Sequence, residues 1–353
     1  MNNRMRSCAV GVAAFLALST LAVVPAAADT ASADASIPGV SVSTTATAGA
    51  FLGVAHEYIY DQNLATNYMV SELVWPLEPM AFAGATVSAD TDIGLFGSLD
   101  VEQGFAGPAG TMTDSDFLNG DGVRTHYSQS TSYAERANLV ELRLGWDLLS
   151  RSVLRVGAFG ALSYMDLKWS ARDGYYQYPT SGSSYTVSSG TVTPGTYAPW
   201  SASETETPLY GTGILYETTY LAAAAGVRAR YALGDRFLLD ASLAFAPIVD
   251  CYVLDNHVLR QLDFYSTLTR GFLVEPRVAV DWALLPSVRV KLDVGYRCAW
   301  NLRGNVTEVS TGASDFSTGF PYVAGPNSSF TGTNDSGADL SALDAGLSLS
   351  ISM

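Results

Sequence analysis

Val288-Arg289-Val290-Lys291-Leu292-Asp293-Val294 exchanges an apolar for a charged residue at every step. Successive side chains of a β-strand point to opposite faces, so this stretch is a strand between two unlike environments, one apolar and one wet. The same period of two runs through Leu142-Arg143-Leu144-Gly145-Trp146 and through the terminal Leu347-Ser348-Leu349-Ser350-Ile351-Ser352-Met353. A soluble β-sandwich shows this alternation as well as a membrane barrel does, so the pattern alone leaves both open.

Punctuation separates them. Compact turn signals fall at Asp90 to Asp92, Ser150 to Ser152, Gly234 to Arg236 and Pro286 to Ser287, at intervals of about 50 to 85 residues. Each interval holds a long strand out, a loop and a long strand back. The loops between are polar and unequal: Asp173 to Pro208 is rich in Ser, Thr, Gly, Tyr and Pro, and Gly304 to Gly337 is similar. Short turns at one end and long loops at the other are the habit of outer-membrane barrels. The spacing predicts an all-β fold, a transmembrane antiparallel β-barrel of about ten strands with long extracellular loops. The first strand starts near Pro38 and the last runs from Asp339 to Met353. Trp75, Trp146, Trp169, Trp282 and Trp300 are candidates for the aromatic girdles.

The ends and the charge agree with export. Arg4 and Arg6 precede an apolar run from Cys8 to Val24, and Ala26-Ala27-Ala28 offers small residues for cleavage, so residues 1–28 read as a signal peptide and 29–353 as the barrel. Losing that segment leaves 17 basic against 34 acidic residues, a net of −17, which disfavours nucleic acid as a partner. No later segment has the roughly 18 uninterrupted apolar residues of a membrane helix. Cys251 and Cys298 do not make a disulfide framework and read as small apolar fillers.

Polar residues that need a reason lie at one height. Asp114 follows the first short turn by about 23 residues, Asp255 follows the third by about 20, and Glu57 follows the start of the first strand by about 20. At roughly 3.3 Å per residue and a tilt near 45°, 20 residues climb about 45 Å, beyond the hydrocarbon layer. Asp114 shares a face with Asp116, and Asp255 with His257. If both faces point inward, three carboxylates and an imidazole converge across the barrel mouth. Asp240 and Ser242, lower on the Asp255 strand, have the opposite parity, and a bulge near Pro247 would repair the register. Such a cluster could activate water: an imidazole fixed by Asp255 takes the proton, while Asp114, coupled to Asp116, holds the water opposite. Other readings stand beside it. Met112-Thr-Asp-Ser-Asp-Phe-Leu-Asn-Gly-Asp-Gly122 could be a solvated loop. As a calcium loop it fails, with Leu118 fifth, Asn119 sixth and Thr125 twelfth. His56 and His126 read as ordinary surface histidines.

With Glu57, Asp114-x-Asp116 and Asp255-x-His257 in this order, the chain resembles the omptins, outer-membrane endopeptidases of Gram-negative bacteria. The likeness runs from about Gly49 to the C-terminus, through His-Glu-Tyr-Ile-Tyr-Asp (56–61), Ser-Glu-Leu-Val-Trp (71–75), Met-Thr-Asp-Ser-Asp-Phe (112–117), Gly-Trp-Asp-Leu-Leu (145–149), Trp-Ser-Ala-Arg-Asp-Gly (169–174) and Asp-Asn-His (255–257). The resemblance implies Asp114, Asp116, Asp255 and His257 as catalytic residues acting on a water, without metal or other cofactor. It implies Glu57 as the binder of a basic side chain before the scissile bond. Three departures follow. Val253 stands where the family has a second acid in that pocket. His126 and Leu139 stand at acidic positions of the next subsite. Tyr164 and Asp166 replace the Glu-x-Arg pair that holds lipopolysaccharide. The expected partners are polypeptide substrates and outer-membrane lipid, and the expected state is a monomer with its site at the extracellular face. The competing class is a non-enzymatic barrel, a porin or adhesin, on the same frame.

Overall fold

The computed structural model describes residues 39–61, 68–188, 191–310 and 329–352. The leader expected over residues 1–28 and the strand start near Pro38 lie outside the described residues.

Ten staves close into one antiparallel ring. They are β1 (Val40–Asp61), β2 (Tyr68–Thr91), a stave broken into β3 (Leu95–Gly104) and β4 (Gly107–Asp116), β5 (His126–Ser150), β6 (Leu154–Gln177), β9 (Thr207–Leu233), β10 (Phe237–His257), β11 (Leu262–Leu285), β12 (Val288–Ser310) and β13 (Ser329–Ser352). Between β6 and β9, the long loop carries a small hairpin, β7 (Thr186–Ser188) with β8 (Thr191–Thr193). Closure is made by β1, which pairs with β2 on one side and β13 on the other. A closed ring leaves no strand edge without partners, the condition for crossing a bilayer with β-structure.

The alternation resolves as read. Leu292, Leu347, Leu349 and Ile351 are exposed on the outer wall, with Leu142, Leu144 and Trp146, while Asp293, Ser348 and Ser350 are buried in the lumen. The four compact turns all lie at one end, between β2 and β3, β5 and β6, β9 and β10, and β11 and β12. At that end Trp282 stacks on Phe237 with centroids 6.2 Å apart, an interfacial pair facing outward. Trp75 and Trp169 correct the girdle expectation. Both are fully buried inside the barrel, stacked or tilted against Tyr216. Alternation distinguishes two faces without saying which one meets lipid.

Two zones fill the lumen. Near the short turns it holds ion pairs: Arg297 Nη1 donates to Asp344 Oδ1 at 2.8 Å, Arg277 Nη1 to Asp293 Oδ2 at 2.5 Å, and Arg230 Nε to Asp240 Oδ2 at 2.8 Å. Above them Phe51, Trp75, Leu77, Trp169, Tyr216, Leu268, Leu302 and Leu340 pack into an apolar plug. At mid-height the register shifts in β5 (Ala134/Arg136), β10 (Phe245/Ile248), β11 (Leu268 to Phe272) and β12 (Ala299/Leu302). Each shift flips strand parity. In β10 the bulge falls at Ala246–Pro247, and it lets Ser242 below and Val253 and Asp255 above all face inward. In β12 it is marked by Asn301, whose φ is 55° and whose N–H donates to Asp339 Oδ1 at 2.8 Å.

Candidate active site

Backbone register sets the height of the site. Leu73 of β2 pairs with both Glu57 of β1 and Asp114 of β4, so those two carboxylates stand level. Asp116 ends β4 and pairs with His126. The Asp-Ser-Asp stretch is therefore the top of a strand, and the turn begins at Leu118. Across the mouth, Asp255 and His257 end β10. The expected residues come together: burial and the fields of Asp255 and Asp114 push the Glu57 carboxyl well above the usual carboxylate range.

His257 is held at both nitrogens. Its Nε2–H donates to Asp255 Oδ2 at 2.6 Å, and its Nδ1 accepts from Nη1 of Arg260 at 3.2 Å. These contacts assign the neutral tautomer with the proton on Nε2 and the lone pair on Nδ1. Phe264 closes the ring edge-on at 5.2 Å. Asp255 is buried, and its Oδ1, like Oε2 of Glu57, has no hydrogen-bond donor among the described residues. Both are buried oxygens whose hydrogen-bonding capacity a group from outside the chain could satisfy.

The aspartate pair opposes them. Asp114 accepts from the Ser71 and Ser128 hydroxyls at a long 3.5 Å each. Burial, then the neighbouring charge of Asp116, drives the Asp114 carboxyl well above the ordinary range, against the pull of Arg260. Burial lifts Asp116 too, resisted by Ser71 and by the charges of Arg260 and His257. Two carboxyls this near do not ionise independently, so Asp114 keeps its proton to higher pH than it would alone.

Three residues at this mouth escape sequence reading. Arg260 sits in the single 3-10 turn Val258–Arg260 that follows His257. Glu308, half-buried on β12, is lifted by burial while Arg260 and His257 hold it back. Tyr178, from the long loop after β6, keeps its phenol proton far above the usual range through burial and the fields of Asp114 and Asp116. Arg260 and Tyr178 carry no spacing signal, and Glu308 falls in the stretch expected as loop from Gly304, whereas β12 continues to Ser310 and its mid-height bulge turns Glu308 inward.

The neighbouring expectations divide. Val253 is buried one step below Asp255 on the same inward face, between Thr218 and Ser266. His126 is not a surface histidine. It is buried against Tyr178 and Tyr197, at 4.8 and 4.7 Å, with Nδ1 2.9 Å from the Thr125 hydroxyl, and burial pushes it down to about 4. Leu139 lies in the apolar plug, paired with Glu102 near the lower lumen, and belongs to no rim subsite. His56 faces Glu72, its Nδ1 3.3 Å from Oε1. Tyr164 and Asp166 lie on the outer wall, where Asp166 and Glu217 accept from Arg136 and Glu217 also from Lys168. Cys251 and Cys298 are both buried and are not joined in a disulfide.

The fold and the rim constellation define an outer-membrane β-barrel with an Asp–His pair facing an Asp–Asp pair. The profile of the omptin family matches residues 39–329, and the chain belongs to the omptin family. It is accordingly an outer-membrane protein of a protease family. The outer membrane protease OmpT from Escherichia coli has the same fold, with a TM-score of 0.72 and 16% identity over 89% of this chain and 97% of that one. The translocator domain of the autotransporter NalP from Neisseria meningitidis gives only 0.33 at 7% identity, covering 88% of this chain and 89% of that one. No curated protein matches the sequence.

Proposed function

We propose that the chain is an endopeptidase that hydrolyses peptide bonds of extracellular polypeptides with a water held between His257 and the Asp114–Asp116 pair. The observation that carries this is the Asp255–His257 hydrogen bond at 2.6 Å, set across the mouth from two carboxyls at the height of Glu57. His257 Nδ1 takes a proton from the water as its oxygen adds to the scissile carbonyl carbon. Asp255 accepts from Nε2–H and stabilises the imidazolium that forms. The ionised member of the aspartate pair orients the water. When the tetrahedral intermediate collapses, the C–N bond breaks and the proton passes from His257 to the departing amine.

Glu57 receives a basic side chain before the scissile bond. Its raised proton affinity is consistent with this task, since a bound cation offsets the fields of Asp255 and Asp114. Val253 leaves Glu57 without a second acid, so the grip on Lys or Arg is weaker than two carboxylates give, and other polar side chains can enter. The rim is extracellular and the chain reaches it as a monomer after loss of residues 1–28. Arg136 and Lys168 on the outer wall are already matched by Asp166 and Glu217, which supports a lipid requirement different from tight binding of a phosphorylated headgroup.

The apolar plug speaks against a porin, which needs a continuous polar lumen. An adhesin depends on the loops and is indifferent to His257. The test is a peptide-library digest by refolded wild type and His257→Ala, read by mass spectrometry. Cleavage next to Lys or Arg by the wild type alone is expected. Equal digestion by both, or none by either, refutes the reading. Activity lost in EDTA and restored by calcium would refute a metal-independent mechanism.

A further inference from the structure

Arg260 touches one half of the constellation, and its charge reaches the other. Its Nη1 donates to the lone pair of His257 Nδ1 at 3.2 Å, and its charge is felt by Asp114, Asp116, Glu308 and Tyr178. Arg260 ends the turn Val258–Arg260 that follows the top of β10, beyond His257, whereas Glu57 stands level with Leu73 and Asp114 within its strand. The guanidinium therefore meets the reacting centre from the His257 end, at a different height from the Glu57 pocket. A guanidinium never gives up its proton at working pH, so while it occupies Nδ1 the imidazole has no lone pair left for water.

Resting on the hydrolytic reading above, we infer that Arg260 is a specificity-determining residue that selects an acidic side chain on the far side of the scissile bond. A carboxylate there pairs with the guanidinium, draws it off Nδ1 and frees the lone pair as the substrate docks. Binding and activation of the base are then one event. A peptide with a neutral residue at that position leaves Arg260 on His257, and a Lys or Arg there is repelled. The preferred sequence is a basic residue in the Glu57 pocket followed across the bond by Asp or Glu.

The position of Arg260 makes the exchange feasible. It is half-buried at the end of a one-turn segment whose next residue, Gln261, takes a left-handed φ of 54°, and it ends no strand. The side chain can therefore move without disturbing the barrel ladder.

The experiment compares wild type with Arg260→Gln on two peptides that differ only in Asp or Lys after an invariant Arg. Binding is measured on the His257→Ala background and cleavage on the active one. Wild type should favour the Asp peptide by about three- to tenfold, the range of a partly screened ion pair, and Arg260→Gln should lose that preference. Nitrogen-15 spectra of His257 in the peptide-free barrel should show Nδ1 as a hydrogen-bonded acceptor in wild type and as an unprotected lone pair in the variant. Equal binding of both peptides by wild type, or a preference that survives Arg260→Gln, overturns the inference. A preference in binding without any cleavage would sink the hydrolytic reading and leave this selectivity standing.

Discussion

The lower lumen and the rim use the same residue types in opposite ways. Below the plug, carboxylates are met by guanidinium groups: Asp344 and Glu275 by Arg297, Asp293 by Arg277, Asp90 and Asp147 by Arg228. At the rim Asp114, Asp116 and Glu308 feel the guanidinium of Arg260, Asp255 is met by the imidazole of His257, and the charges acting on Glu57 are those of Asp255 and Asp114. A buried charge costs several kcal/mol unless it is paired, so the first zone is neutralised for assembly. The second zone leaves acceptor oxygens without donors and carboxyls holding protons, a state that stabilises nothing by itself. The mid-height bulges divide the two, letting each strand aim one parity at the ion pairs and the other at the mouth.

That difference breaks first under Arg297→Met. Arg297 is almost wholly buried, and removing it leaves Asp344 with Arg277 at 2.8 Å and Glu275 with only the longer contacts to Arg143 and Arg277, at 3.7 and 3.8 Å. The barrel should lose about 3 to 5 kcal/mol, seen as a lower urea midpoint for unfolding in lipid, while cleavage per folded molecule is retained. An unchanged midpoint would mean that water already screens the lower lumen. His257→Ala is the reverse case: cleavage should drop roughly 10²- to 10⁴-fold with no loss of midpoint. A parallel fall in both would make His257 a structural residue like those below it.

Asp116→Asn tests the coupled pair. Asp116 raises Asp114, so its neutral replacement lets Asp114 ionise at lower pH, and the acid limb of the kcat/KM profile should move down. The stability sign runs the other way from an ordinary salt bridge. A carboxyl whose folded-state value is raised binds its proton more tightly folded than unfolded, so its contribution is present at low pH and fades as pH rises through the raised value. The variant should therefore be slightly more stable than wild type at neutral pH and equal to it in acid. An acid limb that stays in place would remove Asp114 from the role of orienting water.

Most of the barrel was legible because period-two alternation and compact turns are local. Even the bulge at Pro247 could be read, since Asp240 and Asp255 conflict in parity on one strand. What local pattern could not supply was the inside of the ring. Trp75 and Trp169 alternate as a girdle would and lie in the plug; Leu139 has acidic neighbours in sequence and sits several residues below the rim. Of the site, Glu57, Asp114, Asp116, Asp255 and His257 could be placed by counting from the turns. Arg260, Glu308 and Tyr178 reach the mouth through a 3-10 turn, an unforeseen bulge and a long loop, and none of these is a matter of spacing.

The smallest expected effect asks whether the rim can be made to resemble the lower lumen in charge density. Val253 lies one inward step below Asp255, buried between Thr218 and Ser266, with Glu57 across the mouth. Val253→Asp adds a second acid to the pocket without a cation of the chain to meet it. Its own burial and the nearby Asp255 would hold it protonated until a substrate cation arrives, so the gain appears only on binding. KM for peptides with Arg or Lys should fall by about three- to tenfold with kcat little changed, the mark of binding that is equal in ground and transition states. If kcat falls instead, the added carboxyl has reached His257 and changed the base itself, and the pocket and the catalytic pair are one electrostatic unit.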